Sequence, residues 1–170
     1  MSYDISLCDP VTKDTLEINE PHFMRGGTYA VGGTTQLWLN VTYNYANYYH
    51  EAFNGGIRSI YGKTGAESIS ILSDMIAFIE EKYKDSNGEW IISNRKKNLY
   101  FDSDENPIDS GQALMLALKG KAVLSKEEAY TVSEGDTSDY WESTAANALR
   151  PLYQLLTFAK MRPDGVWKGD

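Results

Sequence analysis

Thr35-Gln36-Leu37-Trp38-Leu39-Asn40-Val41-Thr42-Tyr43 sets Leu37, Leu39, Val41 and Tyr43 on one face of an extended chain and Gln36, Trp38, Asn40 and Thr42 on the other. That two-residue period predicts a strand with one buried face. Further along, the period changes. Thr64 and Glu67 stand at T-x-x-E capping-box spacing, and Ile69, Leu72, Met75, Ile76, Ile79 and Tyr83 make one apolar stripe at helical spacing, which predicts a helix over 64–84. Toward the N-terminus, residues 3–7 and 15–18 alternate apolar and polar around Asp9-Pro10, the pattern of strand, turn and strand. Gly26-Gly27-Thr28-Tyr29-Ala30-Val31-Gly32-Gly33 puts four strand-forming residues between glycine pairs that supply positive φ or room for close backbone approach.

Outward in the other direction, 43–53 reads as a short helix ended by Gly55-Gly56, and Asp85-Ser86-Asn87-Gly88 as a turn. Two β-like pieces, 90–93 and 98–101, flank the basic run Arg95-Lys96-Lys97 and suggest a hairpin. Asp109 to Gln112 and Ser125 to Glu128 have capping-box spacing, which predicts short helices over 109–118 and 125–132. From 139 to 161, Trp141, Ala145, Ala148, Leu149, Leu152, Leu155, Leu156 and Ala159 stay in helical phase, and Pro151 predicts a kink or break near Leu149. The class is α+β: an antiparallel sheet from the N-terminal half packed against two main helices, 65–84 and 139–161, in a single domain with an inserted acidic subregion at 85–135.

Composition narrows the function. The chain has 170 residues, enough for one domain with a core that needs no staples, and its one cysteine, Cys8, excludes an internal disulfide framework and a thiolate metal cage. No signal-peptide pattern or membrane-length apolar run is seen, and a reducing cytoplasm is the expected compartment. A formal charge of −8 argues against direct binding of nucleic acid and against a surface built for phosphates. Residues 102–142 hold ten acids against three lysines, so nearly all of the net charge falls in that one segment.

Motifs of known chemistry fail on spacing. Gly62-Lys63-Thr64 ahead of a helix suggests the end of a phosphate-binding loop, but the required glycine position holds Ile57, and Thr64 is accounted for as a helix cap. Asp102, Asp104, Asn106 and Asp109 alternate oxygen ligands like a calcium loop, yet Pro107 and Ala113 occupy its glycine and glutamate positions. His22 and His50 have no sequence context of a catalytic pair, and Cys8 beside Asp9 has no activating cation in sequence. No cofactor or metal is expected. Two surfaces remain. Tyr45, Tyr48 and His50 could line a small-molecule or hydrolytic pocket, since tyrosine offers an apolar face and a polar tip, or they could be core. The acids Asp102, Asp104, Glu105, Asp109, Glu127, Glu128, Glu134 and Asp136 could be an ordinary solvated face, or a negative surface that docks on a basic partner.

Three stretches carry a resemblance: His22-Phe-Met-Arg-Gly-Gly-Thr-Tyr-Ala-Val-Gly-Gly-Thr-Thr35, Ile57-Arg-Ser-Ile-Tyr-Gly-Lys-Thr-Gly-Ala-Glu-Ser-Ile69, and Asp139-Tyr-Trp-Glu142 running on to Met161-Arg-Pro-Asp-Gly-Val-Trp167. Together they resemble a family of short proteins of phages and prophages of Gram-positive gut bacteria, similar to type II-A anti-CRISPR inhibitors. The resemblance implies a non-enzymatic inhibitor, acting in the cytoplasm of an infected or lysogenic host, that binds the CRISPR effector nuclease or its guide-loaded complex and blocks target-DNA engagement. It supplies no contact residues. The acidic surface is inferred from charge alone, because a nuclease of this kind holds its heteroduplex in a basic channel. The other readings are the Tyr/His pocket and a phage structural or assembly component, whose sign would be homo-oligomer formation.

Overall fold

A computed structural model describes residues 1–27 and 32–170. Its elements in chain order are β1 (Ser2–Cys8), β2 (Glu17–His22), β3 (Thr34–Gln36), β4 (Trp38–Thr42), α1 (Ala46–Ala52), α2 (Gly65–Tyr83), β5 (Ile92–Phe101), β6 (Pro107–Ile108), α3 (Ser110–Leu118), β7 (Leu124–Ser133), α4 (Ala145–Met161) and β8 (Val166–Gly169). The fold is α+β, with antiparallel sheets, and among the described residues no helix is long and apolar enough to cross a membrane. The chain divides into two compact units, Met1–Ile91 with Glu134–Asp170, and Ile92–Ser133.

In the first unit β1 is the central strand of the order β4-β1-β8. Its register sets Tyr3 opposite Val41, Ile5 opposite Leu39 and Leu7 opposite Trp167, and all six side chains are buried. The alternation read at 35–43 is therefore a real buried face, but the strand is broken at Leu37. There the chain changes partners: the Leu37 amide donates to the Leu16 carbonyl at 2.7 Å and its carbonyl accepts from Leu7 at 2.9 Å, so β3 pairs with β2 while β4 pairs with β1. The strand expected over 15–18 runs instead over Glu17–His22.

Leu72, Met75, Ile76 and Ile79 of α2 join Ala145, Ala148, Leu149, Leu152, Leu155, Phe158 and Ala159 of α4 and the inner face of β4-β1-β8 in one core. α2 opens with the full capping box, Thr64 accepting from the Glu67 amide and the Glu67 carboxylate from the Thr64 amide. β8, unforeseen in the sequence, returns beside that cap, where the Trp167 amide donates to Lys63 and its indole N–H to Ser68 Oγ at 2.7 Å. Gly27 has its own steric reason: a Cβ there would lie 1.2 Å from the Asn40 carbonyl oxygen. The rest of its glycine-flanked run, residues 28–31, lies outside the described residues.

The expected start of α4 is corrected, and of the kink or break expected at Pro151 the break does not occur. The helix starts at Ala145, capped by Thr144, because residues 135–143 form a separately bonded loop; and it runs unbroken through Pro151 to Met161. The proline forgoes the single bond from its absent N–H, while the buried Tyr49 hydroxyl donates to the nearby Ala148 carbonyl at 2.9 Å.

The second unit is a three-stranded sheet of order β6-β5-β7 with α3. The two β pieces expected around Arg95-Lys96-Lys97 are one strand, paired without interruption to β7 from Ile92↔Ser133 to Phe101↔Leu124. The helix expected over 125–132 is that strand, β7. Ser125 and Glu128 have capping spacing only by chance, whereas Tyr130, Thr131 and Val132 favour extended chain, and Lys96–Glu127 and Lys97–Glu128 ion pairs of 2.6 and 2.9 Å tie it to β5. α3 forms as its Asp109–Gln112 capping box predicts.

Strand pairing also redistributes the charge. Residues 92–133 contain six acids and six bases: Arg95, Lys96 and Lys97 of β5 offset the surplus of three acids over 102–133, and the other four acids of the segment 102–142, Glu134, Asp136, Asp139 and Glu142, belong to the first unit. The whole formal −8 therefore belongs to the first unit, with 18 acids and 10 bases.

Candidate functional site

The expected acidic contacts fall into different environments. Asp102 Oδ1 accepts the amides of Asn106 and Asp104, both at 2.9 Å, and the Asn106 bonds hold its carboxyl below the usual carboxylate range. Asp109 caps α3. Glu127 and Glu128 pair with Lys96 and Lys97 on the ribbon. Asp104 and Glu105 are exposed in the β5–β6 turn, where Glu105 has φ 62°. Asp136 pairs with Arg150 Nη2. Glu134 is corrected outright: it is fully buried, and no docking surface includes it.

The pocket reading of Tyr45, Tyr48 and His50 is not what these side chains form. Tyr45 and Tyr48 are buried, 0% and 3% exposed, with Tyr48 edge-on to Tyr83, while His50 is exposed and lies under Gly56. The tyrosine hydroxyls point into protein. Tyr45 donates to the Tyr140 carbonyl, and Tyr48 donates to Glu134 Oε2 at 2.6 Å and lies 3.0 Å from the Ser143 carbonyl. They hold a loop instead of lining a cavity.

That loop, residues 135–143, faces solvent and is tied by hydrogen bonds to α4, to Tyr45 and Tyr48, and to Asn44. Glu134 anchors its start: its carboxylate accepts the Ala145 amide at 2.9 Å at the N-terminus of α4, where the helix dipole favours negative charge, and its carbonyl accepts the Ala146 amide at 3.0 Å. Beside it the Glu134 amide donates to the Ile91 carbonyl at 3.0 Å. Asn147, fully buried on the first turn of α4, reaches into the loop, its Nδ2 lying 2.9 Å from Thr137 Oγ1, 3.0 Å from the Asp139 carbonyl and 3.1 Å from the Glu142 carbonyl. Arg150 adds a bond to the Thr137 carbonyl at 3.0 Å. From the side of α1, Asn44 Nδ2 donates to the Trp141 carbonyl at 2.7 Å and the Asn44 carbonyl accepts from Ser143 Oγ at 2.7 Å.

On this support the loop displays Trp141, 46% exposed and tilted at 36° against Tyr140 with ring centroids 4.7 Å apart, beside the exposed carboxylates of Asp139 and Glu142. Trp141 was expected on the buried stripe of a helix. Its helical phase with Ala145 is a coincidence, since the chain between them turns at the Thr144 cap. A large aromatic side chain held out of a hydrogen-bonded loop between two exposed carboxylates has the makeup of a protein-binding anchor.

Other features carry less chemistry. An open cleft of about 330 Å³ in the second unit is lined by Leu99, Tyr100, Phe101, Pro107 and Ile108, with the α3 cap Asp109 at its wall, where the carboxylate is engaged by the Gln112 amide. His22 Nε2 lies 2.6 Å from the Gln36 carbonyl and its ring meets Phe158 edge-on, which is a packing role; Cys8 is buried. Among the described residues no three His, Cys, Asp or Glu side chains gather as metal ligands. No family model matches the chain, and comparison with curated proteins and with solved structures finds no match.

Proposed function

We propose that this chain is a non-enzymatic binding protein that docks through the loop 135–143 on a basic, nucleic-acid-handling partner, and that the partner is a type II-A RNA-guided DNA nuclease whose target-DNA engagement it blocks. The observation that carries the docking mode is Trp141 held exposed beside Asp139 and Glu142 on a loop pinned by buried Glu134, Asn147, Tyr45 and Tyr48. The confinement of the −8 charge to the first unit supports a basic partner, since opposite charge speeds and orients encounter. The nuclease itself is implied by the resemblance of 22–35, 57–69 and 139–167, and its basic channel fits an acidic occupant.

The test is target-DNA binding by a guide-loaded type II-A nuclease with and without this protein, at low and high salt. Loss of DNA binding that recovers at high salt supports the reading. An anchor of this kind contributes about 2 kcal/mol, so Trp141→Ala should weaken inhibition about 30-fold, and reversing Asp139 and Glu142 should flatten the salt dependence. Reversing Asp104 and Glu105 tests the acidic turn of the second unit by the same readout. No inhibition at large molar excess sinks the assignment to that nuclease; inhibition that survives Trp141→Ala removes the loop from it.

A further inference from the structure

β7 is the outer strand of the order β6-β5-β7, ten residues long, about 33 Å at the usual rise per residue. Sheet edges of that length are normally blunted by proline, a bulge or unpaired charge. β7 contains no proline, and its register with β5 is continuous from end to end. Two of its charges, Glu127 and Glu128, are already neutralised sideways by Lys96 and Lys97. The unit behind it is thinly covered: of residues 92–133 only Ala113 is buried, while Leu114, Leu118, Leu124 and Tyr130 are 60%, 75%, 49% and 39% exposed. A sheet that buries so little gains from another sheet beside it.

The sequence of the edge says which sheet. A two-fold axis perpendicular to the sheet pairs two copies of one strand antiparallel, and keeps each side chain on its own face only if the axis passes through a residue. Through Glu127, each Lys126 faces the other copy's Glu128 and each Leu124 faces the other copy's Tyr130, all on one face. Through Glu128 the axis would set Glu128 against itself in the midst of that face. Through Ala129 it would set Lys126 against Val132 and Glu128 against Tyr130, with no charge pair. The cost of the first register is Glu127 opposite Glu127 on the other face, where each already has its own Lys96 at 2.6 Å. We propose that β7 pairs edge to edge with β7 of a second copy of this chain, antiparallel about Glu127, joining two three-stranded sheets into one.

The experiment is sedimentation of the full chain over a concentration series, with circular dichroism to confirm folding. The wild-type chain should dimerise. Lys126→Glu alone sets glutamate against glutamate and Glu128→Lys alone sets lysine against lysine, so each should weaken self-association about tenfold or more, and an equimolar mixture of the two should restore it as a heterodimer. Glu127→Cys should give a covalent dimer on mild oxidation, against the wild-type chain with its buried Cys8 as the uncrosslinked control. A chain that stays monomeric up to about millimolar concentration overturns the proposal. So do single variants that dimerise as well as wild type, or a cross-link that forms through Ala129→Cys and not through Glu127→Cys.

Discussion

Asn147→Asp exchanges one side-chain atom at a fully buried position and inverts its chemistry. The amide nitrogen now faces Thr137 Oγ1, the Asp139 carbonyl and the Glu142 carbonyl at 2.9, 3.0 and 3.1 Å; after substitution a carboxylate oxygen faces the same three oxygens. Two donated hydrogen bonds disappear, at about 1 kcal/mol each, and a buried charge without a countercharge, left with the long bond from the Thr137 amide at 3.3 Å, costs about 3–5 kcal/mol. The opposing effect is the helix N-terminus, where an anion gains about 0.3–1 kcal/mol. The unfavourable terms win, and with partial relaxation the net loss should be about 3 kcal/mol, a large share of the roughly 5–15 kcal/mol that holds a domain folded. At about 2–4 °C per kcal/mol for a chain of this size, Tm should fall by about 6–12 °C. Burial and the facing oxygens raise the folded-state pKa of the introduced carboxyl above its unfolded value. The loss is therefore greatest at neutral pH and shrinks as the medium is acidified, when the protonated acid regains a donor. Urea unfolding followed by tryptophan fluorescence near pH 7 and near pH 5 measures both effects. A loss below about 1 kcal/mol at neutral pH, or one that grows on acidification, would refute the claim that Asn147 pins the loop as a donor.

Tyr48→Phe removes the hydroxyl 2.6 Å from Glu134 Oε2 and should cost about 1.5–3 kcal/mol in urea denaturation; a loss under about 0.5 kcal/mol would show that the contact is not holding the loop. Hydrogen bonds from backbone amides hold the Asp9, Glu67 and Asp102 carboxyls below their ordinary values, so the stability these groups lend is complete above those values and lost as pH falls through the lowered ones. Tm should be level from about pH 7 to 5 and fall below about pH 4, and Glu67→Gln, which keeps an acceptor but has no proton site, should make the acid limb shallower; an unaltered limb removes Glu67 from it. Gly27→Ala would place a methyl 1.2 Å from the Asn40 carbonyl oxygen, and the loss should exceed about 3 kcal/mol, read as failure to refold or a collapsed Tm; near-wild-type stability would contradict the close approach of those backbones.

Local period and local chemistry are what a sequence displays, and the parts of this fold they govern were legible. The buried face Leu37, Leu39, Val41 and the capped helix Gly65–Tyr83 each follow from residues within one or two turns of each other. β7 was not legible, because Ser125 and Glu128 imitate a helix cap, while the ten-residue pairing with β5 that makes it a strand joins residues 23 to 41 positions apart. β8, at four residues, is too short to show a period, and its place is set by pairing with β1 at the far end of the chain. The candidate site was half visible. The acids and Trp141 could be seen, but not the bond from Tyr48 to Glu134 across 86 positions, which buries one acid of the supposed surface. Asn147 did give a signal: it is polar beside Ala145, Ala146, Ala148 and Leu149, and a buried polar residue on an apolar stripe must answer to something.

The hydrogen bond from the Glu134 amide to the Ile91 carbonyl closes a neck. Everything between those two residues leaves the first unit and returns to it at points one bond apart, so to the core of that unit the whole of 92–133 is a tied-off loop. Closure entropy rises only as the logarithm of loop length, about 0.6 kcal/mol for each doubling. Segments of very different length can therefore close this gap at nearly the same entropic cost, so the first unit's core sets little thermodynamic limit on how many residues stand between Ile91 and Glu134.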